Sequence, residues 1–141
     1  VILSLLLTIG SLDLEYKYEH LESELRRAPT LLQYMAKEFQ RISLMYGKEP
    51  VITRILDSVE GSSGVHEQSR AIDFRDEHFN ESGERVVLYT KNERLAILHH
   101  MRALFPRRDG FKTIIWHRFN GGPGHFHVQC ADKSIEQGVE I

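Results

Sequence analysis

The sequence predicts an α+β domain, with N-terminal helices packed on a small, mainly antiparallel sheet, and three features point to it. Apolar residues recur at helical spacing through the first third of the chain. Short β-branched segments bounded by turn residues fill much of the remainder. Between the last two of these lies Asn120-Gly121-Gly122-Pro123-Gly124, a hairpin and turn signal that pairs its flanking strands antiparallel. A chain of 141 residues suits one domain with a hydrophobic core, spanning residues 1–141.

The elements follow in order. Residues 1–9 are apolar, too short to span a bilayer and without the basic region and small-residue cleavage site of a secretion signal, so they read as a buried strand or first helix. From Leu14 the pattern turns helical: Leu14, Tyr18, Leu21 and Leu25 share a face, with Glu15, Lys17, Glu19, Glu22 and Glu24 between them. Pro29 breaks this helix and serves the first turn of a second, whose inner face is Leu32, Met35, Phe39 and Ile42 and whose stop is Gly47. Residues 51–56 form a strand by composition. Residues 57–64, rich in Ser and Gly, form a loop that delivers His66.

Residues 71–74 are the next strand, where Ile72 and Phe74 face the core and Asp73 faces the other way, towards a cleft. Residues 77–84 read as a polar excursion and residues 85–89 as a strand. Asn92 is placed to cap a third helix over 93–105, with Leu95, Leu98, Met101 and Leu104 or Phe105 inward and Pro106 after it. Residues 113–119 and 125–130 are the closing strands.

Composition narrows the function. A net charge of −2 gives no electrostatic case for nucleic acid, whose binders present a basic face. The single cysteine, Cys130, precludes an internal disulfide; three residues past His127 it falls on the opposite strand face and reads as core. His78, His99 and His100 have no carboxylate at a suggestive spacing and read as surface or packing residues.

Two segments carry the chemistry. Gly64-Val65-His66-Glu67-Gln68-Ser69-Arg70-Ala71-Ile72-Asp73 offers a histidine and a carboxylate seven positions apart, and Gly124-His125-Phe126-His127-Val128 offers two histidines on one strand face. Neutral imidazole and carboxylate are the ligands of a catalytic zinc, which takes three protein ligands and keeps one position open. His66, Asp73 and His127 fill that set. Either segment alone has an ordinary reading, as a strand histidine pair or as an aspartate at a strand end.

In this order, His-x6-Asp and then His-x-His, the chain resembles the M15 zinc peptidases, which include D-alanyl-D-alanine carboxypeptidases and phage L-alanyl-D-glutamate endopeptidases. His66, Ala71 and Asp73 match the first family motif in register and His125-Phe126-His127 matches the second. Gly64 replaces a frequent serine, Ser69 a usual glycine, and Gly124 the glutamate that serves as base in the Glu-x-x-His form.

The resemblance implies a hedgehog/DD-peptidase-like sheet carrying a zinc site, and a peptidoglycan stem peptide as substrate. It places the activity at the bacterial cell wall. It puts His127 on Zn2+, which leaves His125 for acid–base work or for orienting a ligand; His117 and Glu67 are further candidates for the base. It also suggests a substrate-facing arginine, Arg54, with Arg70 as its competitor. The alternative is a zinc-containing binding domain of the same fold without hydrolysis. No membrane span is expected, and the oligomeric state is open.

Overall fold

A computed structural model describes residues 13–55, 70–107, 112–118 and 120–130. It is a mixed α+β structure with three helices and a mainly antiparallel five-stranded sheet. In chain order the elements are β1 (Glu15–Tyr16), α1 (His20–Arg26), α2 (Thr30–Met45), β2 (Val51–Arg54), β3 (Ala71–Arg75), β4 (Glu77–Phe79), β5 (Arg85–Val87), α3 (Lys91–Leu104), β6 (Ile114–Arg118) and β7 (Gly124–Gln129). The main sheet runs β1-β2-β3-β7-β6, parallel only between β1 and β2, and β4 and β5 form a separate hairpin.

Alternation divides the sheet into two faces. Ile52, Ile72, Phe74, Phe126, Val128 and Ile114 are fully buried on one side. There the α2 side chain Phe39 stacks on Phe74 with ring centroids 4.0 Å apart and meets Phe126 edge-on at 5.1 Å. Tyr89 closes this cluster edge-on to Phe126, and its buried hydroxyl donates to Ser43 Oγ at 3.0 Å. Aromatic pairs of this kind add roughly 0.5–1.5 kcal/mol each beyond the area they bury. By fixing Phe74 and Phe126, the helix also fixes their strand neighbours Asp73 and His127 on the opposite face.

Much of the sequence reading holds. Pro29 precedes α2, and Leu32, Met35, Phe39 and Ile42 are buried on its inner face. Gly47 ends the segment with a positive φ of 70°, which a residue with a Cβ adopts only with strain. Strands β3, β6 and β7 appear as expected, β6 and β7 pair antiparallel, and Cys130 is buried.

Other expectations need correction. The first helix starts at His20, not at Leu14, because Glu15 and Tyr16 pair with Val51 and Ile52. Leu14 is still buried, so its apolar spacing reflects core contact without a helix. The polar excursion contains a strand: Glu77–Phe79 pairs with Arg85–Val87, and Glu77 is buried. Helix α3 is capped by Thr90, not Asn92, in a reciprocal capping box with Glu93. On its inner face Ile97 joins the expected Met101, with Leu98 and Phe105 packed against the core, whereas Leu95 and Leu104 are exposed. The readings made for residues 1–9, for the 57–64 loop and for Phe119 lie outside the described residues.

Candidate functional site

The face of the sheet opposite the core is polar, and sequence alternation assembles it. Strand β3 contributes Asp73 and Arg75, and β7 contributes His125, His127 and Gln129. In the register, Asp73 lies across from His127, Arg75 across from His125, and His117 of β6 across from His125 on its other side. The His117 ring centroid is 4.4 Å from that of His125 and 5.7 Å from that of His127.

Arg54 joins this face through an irregularity in β2. Ile52 pairs with Phe74, and a regular ladder would then set Thr53 opposite Asp73 and turn Arg54 towards the core. The register shifts between Ile52 and Arg54, so that Arg54 itself lies opposite Asp73. A bulge of this kind re-aims a side chain to the other face. Its guanidinium stands 3.7 Å from Asp73 Oδ2. The competitor Arg70 is used elsewhere: it donates to the Cys130 carbonyl at 3.2 Å, tying together the ends of β3 and β7.

Asp73 and His127 are both buried, and His127 Nδ1 lies 2.9 Å from Asp73 Oδ1. The proton positions on His127 follow from its neighbours. Gln129 Nε2 donates to the Lys112 carbonyl at 3.0 Å, which turns Gln129 Oε1 to His127 Nε2 at 3.2 Å. An amide oxygen only accepts, so Nε2 carries the hydrogen and donates it. In the neutral ring, Nδ1 is then a lone pair directed at a carboxylate oxygen. Two acceptors this close require a cation between them, either a second proton on the imidazole or a metal ion. At 2.9 Å the two atoms stand at hydrogen-bond distance, closer than the roughly 3.3 Å between two donors on a tetrahedral zinc at ~2.0–2.1 Å. Gln129 thereby holds the His127 imidazole in one tautomer.

His125 repeats this pattern more loosely. Its Nδ1 is 3.4 Å from the Pro123 carbonyl, and its Nε2 faces Asp73 Oδ2 at 3.7 Å. Asp73 is thus approached by two imidazoles and a guanidinium. Among the described residues no group of three His, Cys, Asp or Glu is assembled to hold a metal ion. His66, the third member of the expected ligand set, lies outside the described residues, as does Glu67. Of the expected ligand set, the described residues bring Asp73 and His127 into contact.

Gly124, at the place of the absent glutamate, is enclosed. A Cβ there would lie 2.2 Å from Trp116 Cζ2 and 2.8 Å from Glu77 Oε1, so no side chain fits. Glu77 accepts from Gly124 N at 2.6 Å, from Arg118 through both carboxylate oxygens at 2.9 and 2.8 Å, and from Arg85 at 3.0 Å. The paired Arg118 guanidinium is the main cause that lowers the Glu77 carboxyl from its ordinary 4.5 to about 2. Its neighbour Asp76, fully buried, accepts from Tyr89 N and from Trp116 Nε1 at 2.9 and 2.8 Å. These two carboxylates hold the β4 hairpin against β7; in sequence Glu77 reads only as the start of a polar excursion, and Asp76 falls between the assigned segments.

The remaining histidines separate. His100 has a carboxylate partner after all, Glu38 of α2 at 2.7 Å, across 62 positions of sequence. His78 is half-buried, and its Nδ1 has no hydrogen-bond partner among the described residues. Gln129, which sequence reading passed over, could have been found by continuing the period of two from His125 and His127.

Compared with family models, with curated proteins and with solved structures, the chain matches none. Among the described residues no helix is long and apolar enough to cross a membrane.

Proposed function

We propose that this chain is a zinc-dependent peptidase of the M15 type, hydrolysing peptide bonds in the stem peptides of bacterial peptidoglycan. The observation that carries the reading is the buried contact between two of the expected ligands, Asp73 Oδ1 and His127 Nδ1 at 2.9 Å, with the imidazole oriented by Gln129. The spacing of His66, Asp73, His125 and His127 in the chain supports it independently.

Under this reading His66, Asp73 and His127 hold the ion. Zinc, when bound, polarises the scissile carbonyl and acidifies the attacking water. His125, with Nε2 facing Asp73, accepts the proton from that water and returns it to the leaving amine. Arg54, held beside Asp73 by the β2 bulge, stabilises negative charge developing on the carbonyl oxygen or binds a substrate carboxylate.

One measurement set tests this. Protein purified without added metal should contain close to one equivalent of zinc, and mass spectrometry of digested muropeptides should show cleavage that a chelator abolishes. His66→Ala and His127→Ala should each lose most of the metal. A full complement in both variants overturns the site. His125→Ala should keep its zinc and lose on the order of 10²-fold in rate, the scale of a lost acid–base group.

The enclosed Gly124 favours a second reading, a zinc-containing binding domain of the same fold without turnover, because it leaves no room for a glutamate base. Zinc retained with no cleavage product from any wall peptide would select it.

A further inference from the structure

A groove of about 460 Å³ opens beside His125 and is lined also by Lys17, Thr53, Arg75, Glu77 and Phe79. It runs from β7 towards the end of β1, and one of its ends is lined by His125, the proposed base. Resting on that functional reading, we propose that this groove binds a carboxylate of the peptide substrate through Arg75 and Lys17.

The charges in the groove are unevenly satisfied. Its carboxylate, Glu77, is fully engaged by Arg118, Arg85 and the Gly124 amide, and so is not available to the groove cations. Arg75 is half-buried on β3 and forms no ion pair among the described residues. Lys17 sets its ammonium 5.1 Å from the Tyr18 ring centroid and likewise meets no carboxylate among them. Two cations thus line a concave surface whose one carboxylate among the described residues is already taken, while Phe79, more than half exposed at its edge, offers an apolar wall. A ligand with a carboxylate beside a short hydrocarbon segment complements that surface. A cationic ligand does not.

The strand also sets a distance. Arg75 lies two residues beyond Asp73 on the same face, about two strand rises or roughly 6.6 Å. An extended peptide covers that length in about two residues. The recognised carboxylate therefore belongs one or two residues from the bond that is cut. Two sources supply it, a free C-terminus or an acidic side chain, and they share the same recognition chemistry.

The test uses zinc-loaded full chain and three synthetic stem peptides: one with a free C-terminal carboxylate, its C-terminal amide, and a version with its acidic side chain replaced by the neutral amide. Calorimetry reads binding, initial rates read kcat and KM, and elemental analysis of the same samples reads zinc. At least one neutralised peptide should bind about tenfold or more weaker than the parent, the scale of a charge-assisted hydrogen bond, and which one does so identifies the source. Arg75→Ala and Lys17→Ala should erase that difference, raising KM for the parent peptide with kcat, zinc content and binding of the neutral peptide unchanged. Arg75→Lys should restore part of it. Equal binding of all three peptides by the native chain, no detectable binding of any of them, or discrimination that survives in both alanine variants, overturns the assignment. Discrimination in a chain that holds no zinc and cuts nothing would keep the groove and remove the peptidase.

Discussion

Asp73 and Glu77 are buried carboxylates four positions apart on consecutive strands, and their surroundings differ in kind. Glu77 is ringed by arginines and a backbone amide at 2.6–3.0 Å, partners that carry a fixed charge or a fixed hydrogen. Nothing in that ring exchanges a proton or ligates a metal at neutral pH. Asp73 has an imidazole at 2.9 Å and a second imidazole and a guanidinium each at 3.7 Å. Imidazole can lose its proton, accept one or bind a metal, so one carboxylate is locked in fixed partners while the other faces groups open to proton exchange and metal binding. Burial alone does not separate the two. The identity of the neighbours does.

Substitutions on the two sides should therefore fail in opposite ways. Gly124→Ala drives a methyl group into Trp116 and against the Glu77 carboxylate, and overpacking of this sort costs about 1–3 kcal/mol or more. Its melting temperature should fall by several degrees, while any metal bound at Asp73 and His127 remains. Glu77→Ala comes next. Its two arginines are 40% and 44% exposed and can turn to water, so the ion pairs themselves contribute little. The cost, about 1–3 kcal/mol, comes from the buried Gly124 amide losing its acceptor. Glu77→Gln keeps that acceptor and should cost less. His127→Ala makes the contrast: it should empty the metal site while changing the melting temperature of the metal-free chain less than Gly124→Ala does. Equal destabilisation of the metal-free chain by all these variants would erase the distinction between the two carboxylates.

How much of this was legible depended on range along the chain. Strand alternation around Ile72-Asp73-Phe74 and His125-Phe126-His127 is local, and it assigned the core and polar faces correctly. The capping box is local as well: Thr90 and Glu93 stand at the required spacing, two residues ahead of the expected cap at Asn92. The β2 bulge was not legible, since nothing in Val-Ile-Thr-Arg marks where the register slips, yet it alone brings Arg54 to Asp73. The short first strand was hidden for a related reason, because its partner lies across two helices at Val51 and Ile52. Glu77 and Glu38 drew no notice because Arg118 and His100 reach them from 41 and 62 positions away. A buried charge looks like a loop charge until its partners are known.

The smallest expected effect lies in acid. Below its ordinary pKa of 4.5 an unfolded Glu77 takes up a proton, whereas the folded chain, held to about 2 first by Arg118, resists it. The unfolded state then binds more protons than the folded one, so stability drops as the pH is lowered across this interval. This contribution is fully present above pH 4.5 and disappears progressively as pH drops towards about 2. Glu38 acts in the same direction: burial pushes its carboxyl up, but hydrogen bonds from Arg41 and His100 outweigh burial and hold it below the ordinary value. Thermal melts of the metal-free chain between pH 2 and 6 separate the two. Glu77→Gln removes one titrating group and should flatten the decline, and Glu38→Gln should flatten it further in the double variant. The two sites share no partner, so their effects should add. Metal-free protein is required, because protonation of any ligand carboxylate or imidazole would release zinc in the same range and mask the difference. If the native chain and Glu77→Gln decline in parallel, the arginine ring does not lower the Glu77 pKa in solution, and the contrast with Asp73 would rest on neighbour chemistry alone.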